Sequence, residues 1–234
     1  MAVGAMVAAG RGGTVKRGSY CCGWELEAEA WAAGAGRVAG VDEVGRGPLF
    51  GSVVAAAVVL PRDFKLAGLN DSKQLREAER ERCAAVVRTE AVAWALAEVD
   101  AATIDRVNIL QASRLAMRQA VERLGEAADF LLIDGNRRIE WTGCGQRTVV
   151  KGDARSMSIA AASVVAKVYR DGLMRELARE YPGYGLERNM GYPTAEHREA
   201  IVRLGVTALH RRSFKPVQEA LEAAQGKLGF EECG

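Results

Sequence analysis

The sequence is poor in several residues on which common protein classes depend. Its five cysteines are scattered, form no C-x-x-C pair, and have neither of the two histidines near them at zinc-ligand spacing. This pattern argues against a zinc centre or a disulfide framework, and it predicts reduced thiols in a cytoplasmic protein. No apolar run approaches the length of a membrane span, so no membrane partner is expected.

The motifs of two large enzyme classes are also missing. No G-x-x-x-x-G-K-[ST] segment occurs, and Gly34, Gly36 and Gly40 precede a predicted strand instead of following one, so a nucleotide cofactor is not expected. No G-x-S-x-G segment occurs, and only His197 and His210 are available as the base of a serine hydrolase. Each histidine is interpreted as a surface or substrate-contacting residue.

Size and charge indicate one folded domain. The 234 residues include 32 basic and 30 acidic side chains, a formal net charge of +2, so any surface for a polyanion must come from arrangement and not from excess charge. Residues 1–20, rich in Gly, Ala and Arg, are interpreted as a flexible leader, and residues 21–234 as a single domain. One basic cluster near the C-terminus would suit phosphate contacts: His210, Arg211, Arg212 and Lys215.

Hydrophobic spacing predicts alternating strands and helices. Strands are expected at residues 38–44, 52–60, 91–99, 129–134 and 147–150, and helices at 24–31, 73–88, 100–124, 156–179, 194–204 and 216–227. A loop rich in glycine, tyrosine and proline is expected at 184–193. This order predicts a mixed α/β domain with helices packed on a central sheet.

Four carboxylates lie inside or at the ends of predicted apolar strands: Asp42, Glu43, Asp134 and Asp153. A buried, uncompensated acid is costly, so each needs a partner. One interpretation is that each is a helix cap or a salt-bridge partner. The other is that they bind Mg²⁺ or Mn²⁺, because hard oxygen ligands suit these ions, and two ions about 4 Å apart suit phosphodiester hydrolysis.

Adjacent residues on a regular strand point to opposite faces, which makes a shared site for Asp42 and Glu43 difficult. The strand must therefore end or bend close to this pair. Gly45 and Gly47 follow immediately and make such a break plausible.

The segment from Gly40 to Pro48, GVDEVGRGP, resembles the signature of the ribonuclease HII family of bacteria. Further motifs follow in the family's order: DSK at 71–73, NIL at 108–110, LIDG at 132–135, KGDARSMSIAAASVVAKVYRD at 151–171, GYPT at 191–194 and HRRSF at 210–214. The resemblance covers about residues 24–217. It implies an RNase H-like catalytic domain, a five-stranded mixed sheet flanked by helices, with a small C-terminal helical extension from about residue 180.

The resemblance also implies roles for individual residues. Asp42, Glu43, Asp134 and Asp153 match the family's metal-binding carboxylates, for which Asp171 is the alternative to Asp153. Three residues match positions near substrate phosphates: Lys73, Ser163 and Lys167.

Recognition of the ribonucleotide is assigned by the same resemblance. Gly45, Arg46 and Gly47 match a turn whose backbone approaches the ribose 2′-hydroxyl, and Tyr192 matches a tyrosine that packs on the next deoxyribose. The related ribonuclease HIII family usually has lysine between the two glycines and an N-terminal platform domain, so Arg46 and the short leader favour HII. Met190 replaces a lysine found in many members, which removes one phosphate contact.

The function implied is metal-dependent hydrolysis of the RNA strand of RNA/DNA hybrids and incision 5′ of ribonucleotides in duplex DNA, by a monomer. The products would carry 3′-hydroxyl and 5′-phosphate ends, as needed in RNA primer removal and ribonucleotide excision repair. A non-catalytic hybrid-binding protein is the alternative, but four acids without metal would repel phosphate. A metal-dependent DNA nuclease would not need the GRG and GYPT segments.

Overall fold

The computed structural model describes residues 22–69, 72 and 75–231, and for residues 226–231 it describes the backbone alone. The predicted leader, residues 1–20, and the candidate phosphate contact Lys73 lie outside the described residues.

Five strands form one mixed sheet in the order β3-β2-β1-β4-β5. Their bounds are β1 (Val38–Val44), β2 (Val53–Val59), β3 (Ala93–Val99), β4 (Phe130–Asp134) and β5 (Gly145–Val149). β2 is antiparallel to both β1 and β3, whereas β1, β4 and β5 are parallel. The predicted five-stranded mixed sheet is confirmed.

The helices are α1 (Glu25–Ala32), α2 (Glu77–Glu90), α3 (Ala101–Val107), α4 (Ile109–Leu124), α5 (Met157–Glu180), α6 (Leu186–Asn189), α7 (Ala195–Leu204) and α8 (Lys215–Glu231). No helix in the described part of the chain is long and apolar enough to cross a membrane.

The central strand β2 explains how helices cover both faces of the sheet. Its sequence, VVAAAVV, is buried at every position. Val53, Ala55, Ala57 and Val59 belong to the core beneath α4, and the alternate residues of the strand belong to the core beneath α5. The small alanine side chains of β2 let both helices approach the sheet closely. On its face of the sheet, α5 packs against β2 and the neighbouring strand β1.

The start of α5 is held by a buried carboxylate. Glu27 Oε1 of α1 accepts hydrogen bonds from the Ser156 hydroxyl at 2.5 Å and from the Ser158 amide at 2.9 Å. Ser156 in turn accepts from the Ile159 amide as the N-cap. These contacts set the position of α5 against the sheet edge that carries the acids.

The prediction of one continuous helix from Asp100 to Leu124 is wrong, because the segment forms two helices. Asn108 has a φ of +68°, outside the helical region, and divides the segment into α3 and α4. Its side chain accepts the Gln111 amide at 3.1 Å, so it serves as the N-cap of α4. With a ψ of 163°, Asn108 lies outside the left-handed helical region as well, in a conformation that is rare for any residue except glycine, and the helix cannot continue through it. The predicted loop at 184–193 likewise contains the short helix α6.

Gly40 marks the closest approach of β1 to α5, and a matched pair of glycine variants tests it. A Cβ on Gly40 would lie 2.0 Å from the Ser158 carbonyl carbon, whereas a Cβ on Gly172 in α5 would meet nothing within 4 Å. We expect Gly40→Ala to lower the free energy of unfolding by about 3 kcal/mol or to prevent folding. Gly172→Ala should raise it by about 0.5–1 kcal/mol, measured by urea unfolding. A neutral Gly40→Ala would contradict this packing.

Candidate active site

Three carboxylates meet at one edge of the sheet. Because β1 and β4 are parallel with Val41 opposite Ile133, their next residues, Asp42 and Asp134, emerge side by side. Each of three residues contributes one carboxylate oxygen, and these oxygens lie within 4.8 Å of one another: Asp42, Glu43 and Asp134. β1 ends at Val44, and Gly45 follows with a φ of +91°, so the strand ends close to the pair, as the sequence required.

Burial makes this cluster electrostatically unfavourable without a counter-ion. The pKa of Asp42 is raised well above its usual value, mainly by desolvation and then by repulsion from Glu43 and Asp134. Desolvation also raises the pKa of Glu43, although the Arg46 guanidinium, 3.1 Å from Glu43 Oε1, opposes the increase. One half-exposed arginine therefore compensates only part of the charge.

The fourth predicted carboxylate lies beside this group and not within it. Asp153 is buried in a 3₁₀ turn, Gly152–Ala154, and its repulsion contributes to the raised pKa of Asp42. The same turn orients Asp134, whose Oδ1 accepts the Gly152 amide at 2.7 Å. The turn thus connects β5 to the carboxylate at the end of β4.

Asp171, the alternative candidate for the fourth metal ligand, forms ion pairs with two basic residues. Its Oδ1 lies 2.6 Å from Lys167 Nζ, one helical turn earlier on α5, and its Oδ2 lies 3.7 Å from an Arg80 nitrogen. Asp171 is therefore already neutralised by two cations and does not join the carboxylate cluster.

The predicted phosphate contacts have other partners in the folded chain. The Ser163 hydroxyl is buried, acts to lower the pKa of Asp42 and lies 2.9 Å from the Ser72 hydroxyl. Lys167 is the ion-pair partner of Asp171. Their contact with phosphate stays a prediction.

The predicted ribose-reading residues lie together beside the acids. We call Gly45, Arg46 and Gly47 the GRG turn. The Tyr192 ring, 40% exposed, covers this turn, since a Cβ on Gly47 would lie 3.3 Å from Tyr192 Cε1. The structure therefore brings the turn and the tyrosine into contact, although 145 positions separate them in the sequence.

Two arginines near the turn are buried, which the sequence did not indicate for either of them. Arg170 and Arg211 are both fully buried, and each donates to three backbone carbonyls. The predicted phosphate-binding role is therefore wrong for Arg211, whose guanidinium faces the interior. The repeated Arg-Arg in HRRSF was the available signal, but it did not show which arginine faces inward.

The histidines are also buried, so their interpretation as surface or substrate contacts is wrong. His197 Nδ1 lies 3.0 Å from the Tyr192 carbonyl oxygen, and His210 Nδ1 accepts the Thr207 amide at 3.0 Å. Burial lowers the pKa of both, that of His210 to about 3. Both rings pack beside Phe50.

A cleft of about 280 Å³ adjoins the carboxylates. It is lined by Glu43, Arg46, Leu110, Ser113, Arg114, Met117, Asp134, Gly135, Asn136 and Arg137. Three arginines on its wall give a phosphate group favourable contacts next to the acids.

Comparison with known proteins identifies the family. The model of the family described as Ribonuclease HII matches residues 39–217. A protein named Ribonuclease HII from Ruegeria pomeroyi is 56% identical over 198 residues, 85% of this chain and 84% of that protein. One from Chlorobaculum tepidum is 56% identical over 183 residues, 76% of this chain and 89% of that protein. The chain belongs to the ribonuclease HII family. The resemblance inferred from the motifs is confirmed.

Solved structures support the fold of this ribonuclease HII family member. The ribonuclease H2 of Pyrococcus horikoshii superposes with a TM-score of 0.68 at 24% identity, covering 80% of this chain and 98% of that one. Bst-RNase HIII in complex with Mn²⁺ gives a TM-score of 0.65 at 23% identity, covering 80% of this chain and 70% of that one. The RNase H-like fold is confirmed.

The carboxylate cluster has the chemistry of a divalent-cation site. Its donors are oxygen atoms, which Mg²⁺ and Mn²⁺ prefer, and no histidine or cysteine belongs to it in the described part of the chain. A bound cation would offset the repulsion and desolvation that raise the pKa of Asp42 and Glu43.

The raised pKa of Asp42 predicts a pH-dependent stability. Between the ordinary carboxyl pKa of 3.8 and the raised value, the folded protein binds more protons than the unfolded chain. Without divalent metal, the free energy of unfolding should therefore fall as pH rises through this window. Asp42→Asn should reduce the slope, and saturating Mg²⁺ should do the same.

Thermal unfolding followed by circular dichroism across this pH range measures the effect. Asp63→Asn, which changes an exposed carboxylate outside the cluster, should keep the wild-type slope. An unchanged slope in Asp42→Asn would mean that Asp42 is not the group responsible.

Proposed function

We propose that this chain is a metal-dependent endonuclease that cleaves the RNA strand of RNA/DNA hybrids and incises duplex DNA 5′ of embedded ribonucleotides. The products are a 3′-hydroxyl and a 5′-phosphate. The observation that carries the proposal is the placement of the carboxylate cluster beside the GRG turn and Tyr192. Family membership supports the same activity.

The proposed ligands are Asp42, Glu43, Asp134 and Asp153. Divalent ions held by these residues would lower the pKa of a bound water and offset the charge that develops on the leaving 3′-oxygen. The chain orients the ligands beforehand: the Glu43 amide donates to Asp42 Oδ1 at 2.8 Å, the Gly152 amide holds Asp134, and Arg46 restrains Glu43. These contacts restrict the carboxylates to one geometry before substrate binds.

The GRG turn and Tyr192 supply the choice of substrate, because the carboxylates act on any phosphodiester. A single hydrogen bond to a 2′-hydroxyl is worth about 1–3 kcal/mol, which is too little to reject all DNA. We propose that the turn's backbone reads this hydroxyl and that the Tyr192 ring packs on the following deoxyribose. Together they select the junction between ribonucleotide and DNA.

The alternative of a non-catalytic hybrid-binding protein is weaker. A binding surface for a polyanion has no use for three carboxylates within 4.8 Å of one another unless a cation is bound among them. A general DNA nuclease would need the same acids but not the contact between Tyr192 and Gly47.

The proposed setting is the cytoplasm, where the protein acts as a monomer in RNA primer removal and ribonucleotide excision repair. Cys83 and Cys144 are free thiols, as expected in a reducing compartment. The preferred ion of the proposed site is Mg²⁺ or Mn²⁺, which titration of each metal against cleavage distinguishes.

Charge-removing variants test the metal ligands. We expect Asp42→Asn and Asp134→Asn each to lower kcat/KM by on the order of a thousandfold or more, since the amide keeps the shape but loses the charge that holds metal. Cleavage of a duplex with one embedded ribonucleotide, with and without Mg²⁺, measures this, and duplex binding should survive. Near-normal turnover by either variant at saturating Mg²⁺ would contradict the assignment.

Asp153→Asn and Asp171→Asn form the matched comparison for the fourth ligand. Asp153→Asn should reduce turnover less than Asp42→Asn and should raise the Mg²⁺ concentration needed for half-maximal rate. Asp171→Asn should leave this metal requirement unchanged, because Asp171 pairs with Lys167 and Arg80. The reverse order would identify Asp171 as the ligand.

The junction role of Tyr192 is tested by comparing two substrates. Tyr192→Ala should lower kcat/KM about tenfold or more on a single embedded ribonucleotide and less than about threefold on a continuous hybrid. Tyr192→Phe should retain most activity, since ring packing needs no phenolic oxygen. Equal losses on both substrates would show that Tyr192 only packs the loop.

A further inference from the structure

Arg170 and Arg211 are buried cations of an unusual kind. Both are fully buried, and neither forms a salt bridge within the part of the chain that the structure describes. Burying a guanidinium without an anion is costly unless its donors are satisfied. Here the compensation comes from backbone carbonyls of the segment that carries the GRG turn.

Arg211 holds both ends of that segment. Its Nη2 donates to the Gly45 carbonyl at 2.7 Å, its Nη1 to the Arg46 carbonyl at 3.1 Å, and its Nε to the Gly51 carbonyl at 2.9 Å. The Arg211 amide also donates to the Leu49 carbonyl at 2.8 Å. One residue thus fixes residues 45–51 from the interior side.

These contacts set the direction of two amides. In a trans peptide the C=O and the following N–H point in opposite directions, and the described chain has no cis peptides. Since the Gly45 and Arg46 carbonyls face Arg211, the amides of Arg46 and Gly47 face away from it. Neither amide forms a hydrogen bond with another described residue.

Arg170 extends the same arrangement to Tyr192. Its guanidinium donates to the carbonyls of Phe50 at 3.2 Å, Ser52 at 3.2 Å and Met190 at 3.0 Å. A second link joins the segments directly, because the Leu49 amide donates to the Gly191 carbonyl at 2.7 Å. The turn and the tyrosine loop are therefore held by one buried network.

We propose that Arg211, supported by Arg170, is a positioning residue that aims the Arg46 and Gly47 amides at the ribose of a bound ribonucleotide. The inference rests on the proposed function and deepens it. Arg211 acts through the backbone and does not itself touch substrate. The discrimination between ribose and deoxyribose then depends on a side chain in the C-terminal segment.

Arg211→Lys tests the proposal because it keeps the charge and removes the planar fork. A lysine ammonium is a compact donor on a flexible stem and cannot match three carbonyls in the directions that a guanidinium reaches. We expect kcat/KM on a duplex with one ribonucleotide to fall about tenfold or more. The inhibition constant of an all-DNA duplex of the same sequence should change less than about twofold, because phosphate contacts are unaffected.

Arg203→Lys is the matched control. Arg203 is exposed on α7 and donates to the Gly183 carbonyl at 3.3 Å, away from the proposed site. Arg203→Lys should leave kcat/KM on the ribonucleotide-containing duplex and the inhibition constant of the all-DNA duplex within about twofold of the wild-type values. A folded Arg211→Lys that keeps its preference for ribonucleotide, or that weakens ribonucleotide and all-DNA duplexes equally, overturns the proposal.

Amide hydrogen exchange in the unmodified protein gives an independent measurement, and it decides the question if Arg211→Lys does not fold. With Ca²⁺ in place of Mg²⁺ and the duplex verified as intact, a ribonucleotide-containing duplex should protect the Arg46 and Gly47 amides more than an all-DNA duplex does. Equal protection by both overturns the proposal. Wild-type protein that cleaves neither substrate would instead overturn the proposed function itself.

Discussion

The surrounding structure depends on one constraint. Three negatively charged carboxylates lie together where β1 and β4 end. Asp42, Glu43 and Asp134 each place an oxygen within 4.8 Å of the others, and burial raises the pKa of the first two. The Glu43 and Gly152 amides satisfy oxygens of Asp42 and Asp134 but bring no positive charge. The fold therefore tolerates an unfavourable cluster whose remaining charge a divalent cation would neutralise.

Two buried cations contact the GRG turn and the residues that follow it. Arg170 and Arg211 are satisfied by carbonyl oxygens, so five carbonyls of this segment are turned toward the interior: those of Gly45, Arg46, Phe50, Gly51 and Ser52. The amides of Arg46 and Gly47, which follow the Gly45 and Arg46 carbonyls, then face away from Arg211. One network of hydrogen bonds thus compensates two buried charges and orients donors next to a polyanion-binding site.

The sheet and its acids were predictable because their signals are local. Apolar runs at residues 38–44 and 129–134 predicted two buried strands with Asp42 within the first and Asp134 at the end of the second, whereas the pairing that brings the acids together came from the structure. The burial of Arg211 and His210 was not predictable, because it depends on the C-terminal segment folding back over Phe50. Polar residues in a short helical extension have no periodicity that separates an inward arginine from a solvated one.

Asp153 and Asp171, the two candidates for the fourth ligand, differ in their local partners. Lys167 and Asp171 are spaced i, i+4 on a helix, so the sequence already contains a cation that reaches Asp171. A carboxylate neutralised in this way gains little from a metal ion. Asp153 lies in the turn that also orients Asp134, and its charge acts on Asp42. A partner one helical turn away is thus a reason to rank an acid lower as a metal ligand.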